Sequence, residues 1–159
     1  MTKLSHLDEQ GRARMVDVSE KEISTRVAVA RGSIHMRPET LSLIRQGRVE
    51  KGDVFSVARV AGIMAAKKTS ELIPMCHPLN ITSVTIELRP EDHPSRVDIE
   101  ATVRVDGKTG VEMEAMTAVS VAGLTIYDMC KAVDREMSLA EVRLVQKSGG
   151  KSGTFIRNE

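Results

Sequence analysis

The most continuous apolar segment of the chain lies between Gly107 and Glu136 and has the pattern of a buried helix. No proline occurs between Val111 and Val133, and apolar side chains occupy most positions around the helix. Such a helix lies inside a protein or between two subunits. Thr109 is the predicted N-cap. An α-helix turns by about 100° per residue, and with this rotation the polar residues fall on one flank. They are Glu114, Thr117, Ser120, Thr125, Asp128 and Lys131.

Small residues midway along this helix predict a close helix crossing. Ala118, Ala122 and Gly123 would let another backbone approach. Glu114 and Asp128 share a flank but lie roughly 20 Å apart along the axis. Two antiparallel copies related by a two-fold axis would bring Glu114 of one chain toward Asp128 of the other. We therefore expect sites shared between two chains.

Alternating and helical patterns elsewhere predict an α+β fold. Strands are expected at 25–36, 81–88, 96–105 and 139–146, and helices at 38–46, 54–72 and 111–133. Asp53 is the predicted N-cap of the second helix, and Gly47 ends the first. This order is the ferredoxin-like split βαβ pattern, an antiparallel sheet with helices packed on one face.

The domain organisation follows from the same patterns. Residues 1–159 are expected to form one domain, with 1–14 as a mobile N-terminal arm and 147–159 as a flexible tail. Residues 15–18 are either a short strand or a clamp on a neighbour. The polar stretch 89–95 is a predicted turn between two strands of a hairpin.

Composition excludes several classes of function. Lys and Arg number 23 against 22 Asp and Glu, so no net field attracts nucleic acid or an anionic membrane. Phe55, Tyr127 and Phe155 are the only aromatic residues, too few for a platform that stacks bases. No apolar run reaches the length of about 20 residues that a membrane span needs. Cys76 and Cys130 fit no disulfide framework. We expect a soluble, cytoplasmic protein.

Two segments outside the long helix are candidates for ligand binding. Lys51 precedes Gly52 and Asp53 at a helix N-terminus, where free amides favour anions. Met75, Cys76 and His77 lie between two prolines, so their backbone is restricted. They form either a packed turn or a rigid ligand-binding loop. No metal site is predicted, because no second pair of residues completes a tetrahedral zinc site.

Charged residues at two other places suggest phosphate chemistry. Lys147 and Lys151 lie among glycines and serines and could wrap a polyphosphate, although an unliganded flexible tail has the same composition. Asp128 and Lys131 are either a helix-stabilising ion pair or an acid/base pair beside bound phosphates. Cations placed selectively at loops and helix ends suit a small phosphorylated ligand better than a polymer.

Four segments of the chain closely resemble the MoaC family of molybdenum cofactor biosynthesis. They are MVDVS (15–19), KGDVFSVARVAGIMAAKKTSELIPMCHPL (51–79), KTGVEMEAMTAVSVAGLTIYDMCKA (108–132) and KSGGKSG (147–153). The resemblance runs essentially from end to end. Met75 and Met116 stand where leucine is expected in relatives, and these exchanges preserve volume.

The resemblance implies a fold, an assembly and a reaction. The family implies a ferredoxin-like subunit, a homohexamer built as a trimer of dimers, and active sites at the dimer interface. It implies a lyase that converts 3′,8-cyclo-7,8-dihydro-GTP into cyclic pyranopterin monophosphate and pyrophosphate, downstream of a radical GTP cyclase. No cofactor is predicted; Mg²⁺ could accompany the triphosphate, but the sequence carries no signal for it.

The resemblance also implies roles for individual residues. Asp128 matches the catalytic acid, and Lys51 and Lys131 fall where other active-site groups lie. Substrate contacts are implied for Met75, Cys76, His77, Glu112, Met113 and Glu114, and Lys147 and Lys151 are expected to bind the triphosphate. The alternative is a ferredoxin-like nucleotide-binding module that regulates a partner without catalysis. That module would return its ligand unchanged.

Overall fold

A computed structural model describes residues 5–159 as one sheet with helices packed against it. The expected arm at 1–14 lies partly outside the described residues. In chain order the elements are β1 (Ser24–His35), α1 (Pro38–Arg45), α2 (Val54–Lys67), α3 (Thr69–Leu72), β2 (Ile81–Asp92), β3 (Ser95–Gly107), α4 (Glu112–Cys130), β4 (Ser138–Ser148) and β5 (Phe155–Ile156). None of the helices within residues 5–159 is long and apolar enough to cross a membrane.

The sheet has the order β2-β3-β1-β4-β5, and every neighbouring pair is antiparallel. Because β3 separates β1 from β2, the two strands joined by the first helices form a split βαβ unit. Alternate residues of the central strands, such as Ala30 and Ala101, are buried toward the helices. The α+β ferredoxin-like prediction is therefore confirmed.

The small residues of α4 are used inside the subunit, which corrects the reason given for a two-fold crossing. A Cβ on Gly62 of α2 would lie 3.0 Å from the Ala118 carbonyl and 3.4 Å from the Ala122 Cβ. A Cβ on Gly123 would lie 2.4 Å from Leu139. The close approach that these residues permit is therefore that of α4 to α2 and to its own sheet.

Apolar side chains remain exposed on the outer side of the helix layer. Val57, Val60 and Met64 of α2 are 44%, 57% and 52% exposed, and Leu124 of α4 is 58% exposed. Their spacing along α2 puts the first three on one stripe. Exposed apolar patches commonly mark an interaction surface.

Several local predictions are corrected. Thr109 is not the N-cap of α4, because the cap position is Val111 and no side chain bonds there. The second helix ends at Lys67, and the separate helix α3 follows. Residues 15–18 form no strand. The hairpin turn is shorter than expected, since β2 and β3 extend to a His93-Pro94 turn with a cis peptide bond.

The C-terminal residues return along the sheet. After a turn containing Gly149 and Gly150, β5 pairs with the end of β4. Glu159 then contacts Arg31 at 2.9 Å and also Arg143. The predicted tail at 147–159 therefore includes the end of β4 and all of β5. Flexibility of this tail stays a prediction.

Candidate active site

Three residues predicted to be catalytic meet at the C-terminal end of α4, in what we call the lysine–aspartate cluster (Lys51, Asp128 and Lys131). Lys51 Nζ donates to Asp128 Oδ2 at 3.1 Å and to the Asp128 carbonyl at 3.0 Å. Lys131 Nζ donates to Asp128 Oδ1 at 2.7 Å. Lys51 is 77 positions from Asp128 in the chain, so folding rather than sequence spacing creates this contact.

Local structure explains why these side chains converge. Lys51 precedes Gly52, whose φ of +103° turns the chain into Asp53, and Asp53 caps α2 by accepting from the Ser56 amide at 3.0 Å. Lys131 is the C-cap of α4, and its amide donates to the Tyr127 carbonyl. Lys51 is therefore directed to Asp128 and not to a free helix N-terminus.

A buried carboxylate that the sequence reading missed ties together the chain segments flanking this cluster. Asp134 is 2% exposed and accepts from the Arg37 amide at 2.9 Å and from the Thr40 hydroxyl at 3.0 Å. It thereby joins the start of α1 to the turn that follows α4. No motif signals this role, because Asp134 lies in a polar loop of the sequence.

The lysine–aspartate cluster is charged and open to solvent. Two ammonium groups hold the pKa of Asp128 below its ordinary value, with Lys131 contributing more than Lys51. The side chains of Lys51, Asp128 and Lys131 are 48%, 58% and 51% exposed. In the single chain, solvent therefore reaches all three charged groups.

A cavity of about 270 Å³ lies at the opposite end of α4. All six substrate contacts that the resemblance implies for residues 75–77 and 112–114 line it. The remaining lining residues are Ser5, His6, Val16, Val18, Lys21, Thr109 and Gly110. We call this space the α4 N-terminal cavity.

Burial perturbs two titrating groups of the α4 N-terminal cavity. Glu114 is 4% exposed, and burial raises its pKa to about 7, with the Glu112 charge acting in the same direction. Its own backbone amide opposes the shift. Burial likewise raises the pKa of the Cys76 thiol, and Glu114 adds to this effect. Both groups therefore favour their protonated forms.

One hydrogen bond orients His77 in this cavity. Its Nε2 lies 2.7 Å from the Val16 carbonyl oxygen. Because a carbonyl only accepts, Nε2 carries the hydrogen of this bond. Residues 15–18 thus act as a clamp on the same chain's His77.

A cation-rich cavity of about 160 Å³ adjoins the first and shares Lys21, Thr109, Gly110 and Glu112 with it. Lys147 lies here, with its Nζ 3.2 Å from Glu112 Oε1 and 2.8 Å from the Ser152 hydroxyl. Arg26 also lines this space. The predicted lysine of the tail is thereby brought to the predicted glutamate of α4.

The glycine-rich tail packs against Arg26, and this explains its composition. Gly149 and Gly150 have φ values of +94° and +75°. A Cβ on Gly150 would lie 2.1 Å from the Arg26 guanidinium. Lys151 borders a neighbouring cavity of about 450 Å³ together with Lys21 and Arg26. The sequence patterns did not identify Lys21 or Arg26. Arg26 could have been found from the pairing of the predicted first and last strands, because this pairing places it beside the start of the tail.

The structure therefore divides the predicted site residues into two groups. Lys51, Asp128 and Lys131 lie together at one end of α4, and the other eight lie around cavities at its other end. From Glu114 to Asp128 the helix rises roughly 20 Å. Within residues 5–159, no group of three or more His, Cys, Asp or Glu side chains could hold a metal ion.

A larger cavity of about 560 Å³ lies on the opposite face of the sheet and contains none of the predicted residues. Its arginines are paired with carboxylates: Arg31 contacts Glu100 at 2.6 Å, and Arg96 contacts Asp98 at 2.6 Å. Since these charges neutralise one another, we place the candidate site at the two ends of α4.

Nearly the whole chain is similar to one family of known proteins. The sequence profile of the MoaC family matches residues 15–150. A cyclic pyranopterin monophosphate synthase of Pelotomaculum thermopropionicum is 67% identical over 99% of this chain and 92% of its own. Proteins of the same name from Roseiflexus sp. and Thermomicrobium roseum are 61% and 58% identical, covering 99% and 100% of this chain and 100% and 96% of theirs.

Proposed function

The chain belongs to the MoaC family, and on that premise we propose that it is a cyclic pyranopterin monophosphate synthase. It converts 3′,8-cyclo-7,8-dihydro-GTP into cyclic pyranopterin monophosphate and releases pyrophosphate, an early step of molybdenum cofactor biosynthesis. The observation that carries the proposal is the contact of Lys51 and Lys131 with one Asp128 carboxylate.

The lysine–aspartate cluster has the groups that this rearrangement needs. A C–N bond of the bridged intermediate opens and a pyran ring closes, so protons move in both directions. Asp128 is ionised at neutral pH, since the two lysines move its pKa further below its ordinary value, and an ionised carboxylate can accept a proton from a substrate placed against it. Lys131 and Lys51 each carry a proton that they can donate. They also place positive charge where negative charge develops.

The other end of α4 is suited to hold the nucleotide. Carboxyl oxygens of Glu112 and Glu114 can accept hydrogen bonds from N–H groups of the guanine-derived ring. Beside them, Lys147, Arg26 and Lys21 line the adjoining cavity. Together with Lys151 these cations can bind the triphosphate and stabilise pyrophosphate as it leaves.

One nucleotide cannot easily reach both ends of α4 in a single chain, because roughly 20 Å separate Glu114 from Asp128. We propose that each site is shared between two chains, with Met113 and Glu114 from one and Asp128 and Lys131 from the other. The exposed apolar stripe on α2 supports this arrangement, since it would be covered by a partner. Such dimers assemble into a homohexamer in this proposal.

The remaining features of the proposal follow the family. The substrate is supplied by a radical GTP cyclase, and the enzyme acts in the cytoplasm without nucleic acid or membrane partners. We propose that the reaction needs no resident metal or organic cofactor. A chelator in the assay would then leave turnover unchanged, whereas loss of turnover restored by Mg²⁺ would show a metal requirement.

The decisive experiment supplies the cyclised nucleotide to the purified protein. The expected products are pyrophosphate and a pterin that becomes fluorescent on oxidation, in equal amounts. A nucleotide that binds and is recovered unchanged would favour the alternative of a regulatory binding module. An Asp128→Asn variant separates the two further, because a binding module should tolerate it.

A further inference from the structure

The N-terminal residues that the structure describes do not extend away from the protein but lie over the α4 N-terminal cavity. Ser5 and His6 line this cavity together with Cys76 and Glu114. The chain then returns through Val16, whose carbonyl contacts His77 at 2.7 Å. We call residues 5–18 the roof segment, because both of its ends border the cavity.

Hydrogen bonds within the roof segment give it a defined turn. Asp8 Oδ1 accepts from the amides of Gln10 at 3.0 Å and Arg12 at 2.8 Å, and Asp8 Oδ2 accepts from the Arg12 side chain. The Arg14 amide donates to the His6 carbonyl at 2.9 Å. Gly11, with φ of +76°, allows the reversal of direction. His6 is therefore held at the base of a closed loop.

The roof segment contributes little to the core. His6 and Arg14 are exposed, as is Leu7, and no residue from 5 to 18 is buried. A turn organised by one carboxylate, without apolar anchoring, can open at little cost to global stability. Its position over the cavity thus calls for a reason other than folding.

We infer that His6 is a substrate-contacting residue, presented by the Asp8 turn to the heterocyclic end of the nucleotide. The inference rests on the proposed function for the identity of the nucleotide. An imidazole carries two ring nitrogens that can donate or accept hydrogen bonds, while Glu112 and Glu114 offer only carboxyl oxygens. His6 thereby complements ring groups that carboxylates alone cannot match. The triphosphate is assigned to the adjoining cavity, where the lysines and Arg26 lie.

Binding of two probes tests where His6 acts. Guanosine triphosphate contains a purine and a triphosphate, whereas inorganic tripolyphosphate lacks the ring. His6→Ala should weaken guanosine triphosphate binding roughly five- to tenfold, as expected for one lost hydrogen bond. Tripolyphosphate binding should remain unchanged. Equal weakening of both probes, or of neither, would overturn the inference.

Matched variants in the same turn separate contact from local folding. Glu9→Ala removes an exposed neighbouring side chain and should bind both probes as the wild type does. Asp8→Ala removes the acceptor that organises the turn and should reproduce the loss seen with His6→Ala. Asp8→Asn keeps one oxygen for the two amides and should restore most of the affinity. If Asp8→Ala binds as tightly as Asp8→Asn, the turn does not present His6.

Turnover of the cyclised nucleotide distinguishes this inference from the proposed function. The proposed function is supported if the wild type turns over the nucleotide. The role of His6 is also supported if kcat/KM falls five- to tenfold in His6→Ala and is unchanged in Glu9→Ala. Wild-type turnover with equal values for the two variants overturns the role of His6 alone. Absence of wild-type turnover overturns the proposed function, while the probe measurements still decide whether His6 contacts a purine nucleotide.

Discussion

The two ends of α4 carry acidic residues of the same helix in opposite electrostatic environments. At its N-terminal end, burial raises the pKa of Glu114 to about 7. At its C-terminal end, Lys131 and Lys51 lower the pKa of Asp128. Burial disfavours a charge, and a neighbouring opposite charge favours it. One helix thus holds a carboxyl that titrates near neutrality and another that remains ionised.

This difference assigns different tasks to the two ends. At the C-terminal end, the ionised Asp128 is suited to proton transfer, and the lysines beside it are suited to stabilising a developing anion. A buried carboxyl beside a cavity is suited to recognition, because an unmatched ligand would leave it without a partner. The following variants break or sharpen this comparison, beginning with the largest expected effect.

Asp128→Asn should abolish most activity and leave the fold intact. Loss of a positioned acid or base reduces turnover by roughly 10²- to 10⁴-fold. The side chain is 58% exposed, so the melting temperature should change little. Turnover and thermal unfolding are measured together.

Asp92 provides the matched control for this variant. It is 60% exposed and contacts Arg45 at 2.6 Å, so Asp92→Asn also breaks an exposed ion pair, away from the site. It should retain full activity. Near-native turnover in Asp128→Asn, or a loss explained by unfolding, would remove Asp128 from the mechanism.

Mixing two inactive variants tests whether the ends of α4 come from different chains. Glu114→Ala and Asp128→Ala proteins are unfolded together at equal concentration and refolded. Half of the dimers should be mixed, and in each of them one site carries both lesions while the other carries neither. About a quarter of wild-type activity should return. Mixed dimers that form, as tagged subunits would reveal, yet stay inactive would place both residues in one chain's site.

The sequence predicts the framework of the fold well because the strands and α4 are strongly patterned. Alternation along β1 and β3 locates both strands and gives the split βαβ order. The small residues of α4 show the limit of such patterns. Ala118 and Gly123 indicate a close contact, but periodicity does not state its partner. Gly62 and Leu139 of the same chain turn out to fill that role.

The candidate site was predicted unevenly for a similar reason. Residue types and resemblance select Lys51, Asp128 and Lys131, and the fold brings them together. Arg26 and His6 were missed because their importance depends on contacts across the chain, to the glycine-rich tail and to the cavity. Thr109 was misassigned as a cap, because α4 begins at Glu112 and its cap position is Val111, where no side chain is bonded.

Glu114→Gln should change how stability depends on pH. The folded pKa of about 7 exceeds the ordinary value of 4.5. Between these values the folded protein keeps a proton that the unfolded chain has released, so stability falls as pH rises through this range. The shift of about 2.5 units corresponds to at most about 3 kcal/mol. The glutamine variant should therefore gain stability relative to the wild type between pH 5 and pH 8.

Urea unfolding at the two pH values, at one fixed protein concentration, measures this difference. Glu71 is the control because it also lies in the first turn of a helix but is exposed. Glu71→Gln should differ from the wild type by the same amount at both pH values. If Glu114→Gln behaves in the same way, the buried carboxyl does not titrate near neutrality.

The smallest effect is expected at Lys151, which distinguishes the tail lysines from each other. Lys147 is fixed by Glu112 and Ser152, whereas Lys151 is exposed at the tip of the turn. An exposed charge pair contributes up to about 1 kcal/mol, so Lys151→Ala should raise the KM roughly two- to fivefold with kcat unchanged. Because exposed charges are screened, the effect should vanish near 1 M salt. Lys68 is an exposed lysine just beyond α2, so Lys68→Ala should leave KM unchanged.

Hydrogen exchange at 147–153 should slow with substrate in the wild type and slow less in Lys151→Ala. A KM equal to that of Lys68→Ala, with equal exchange in the presence and absence of substrate, would show that the tail does not close on the triphosphate.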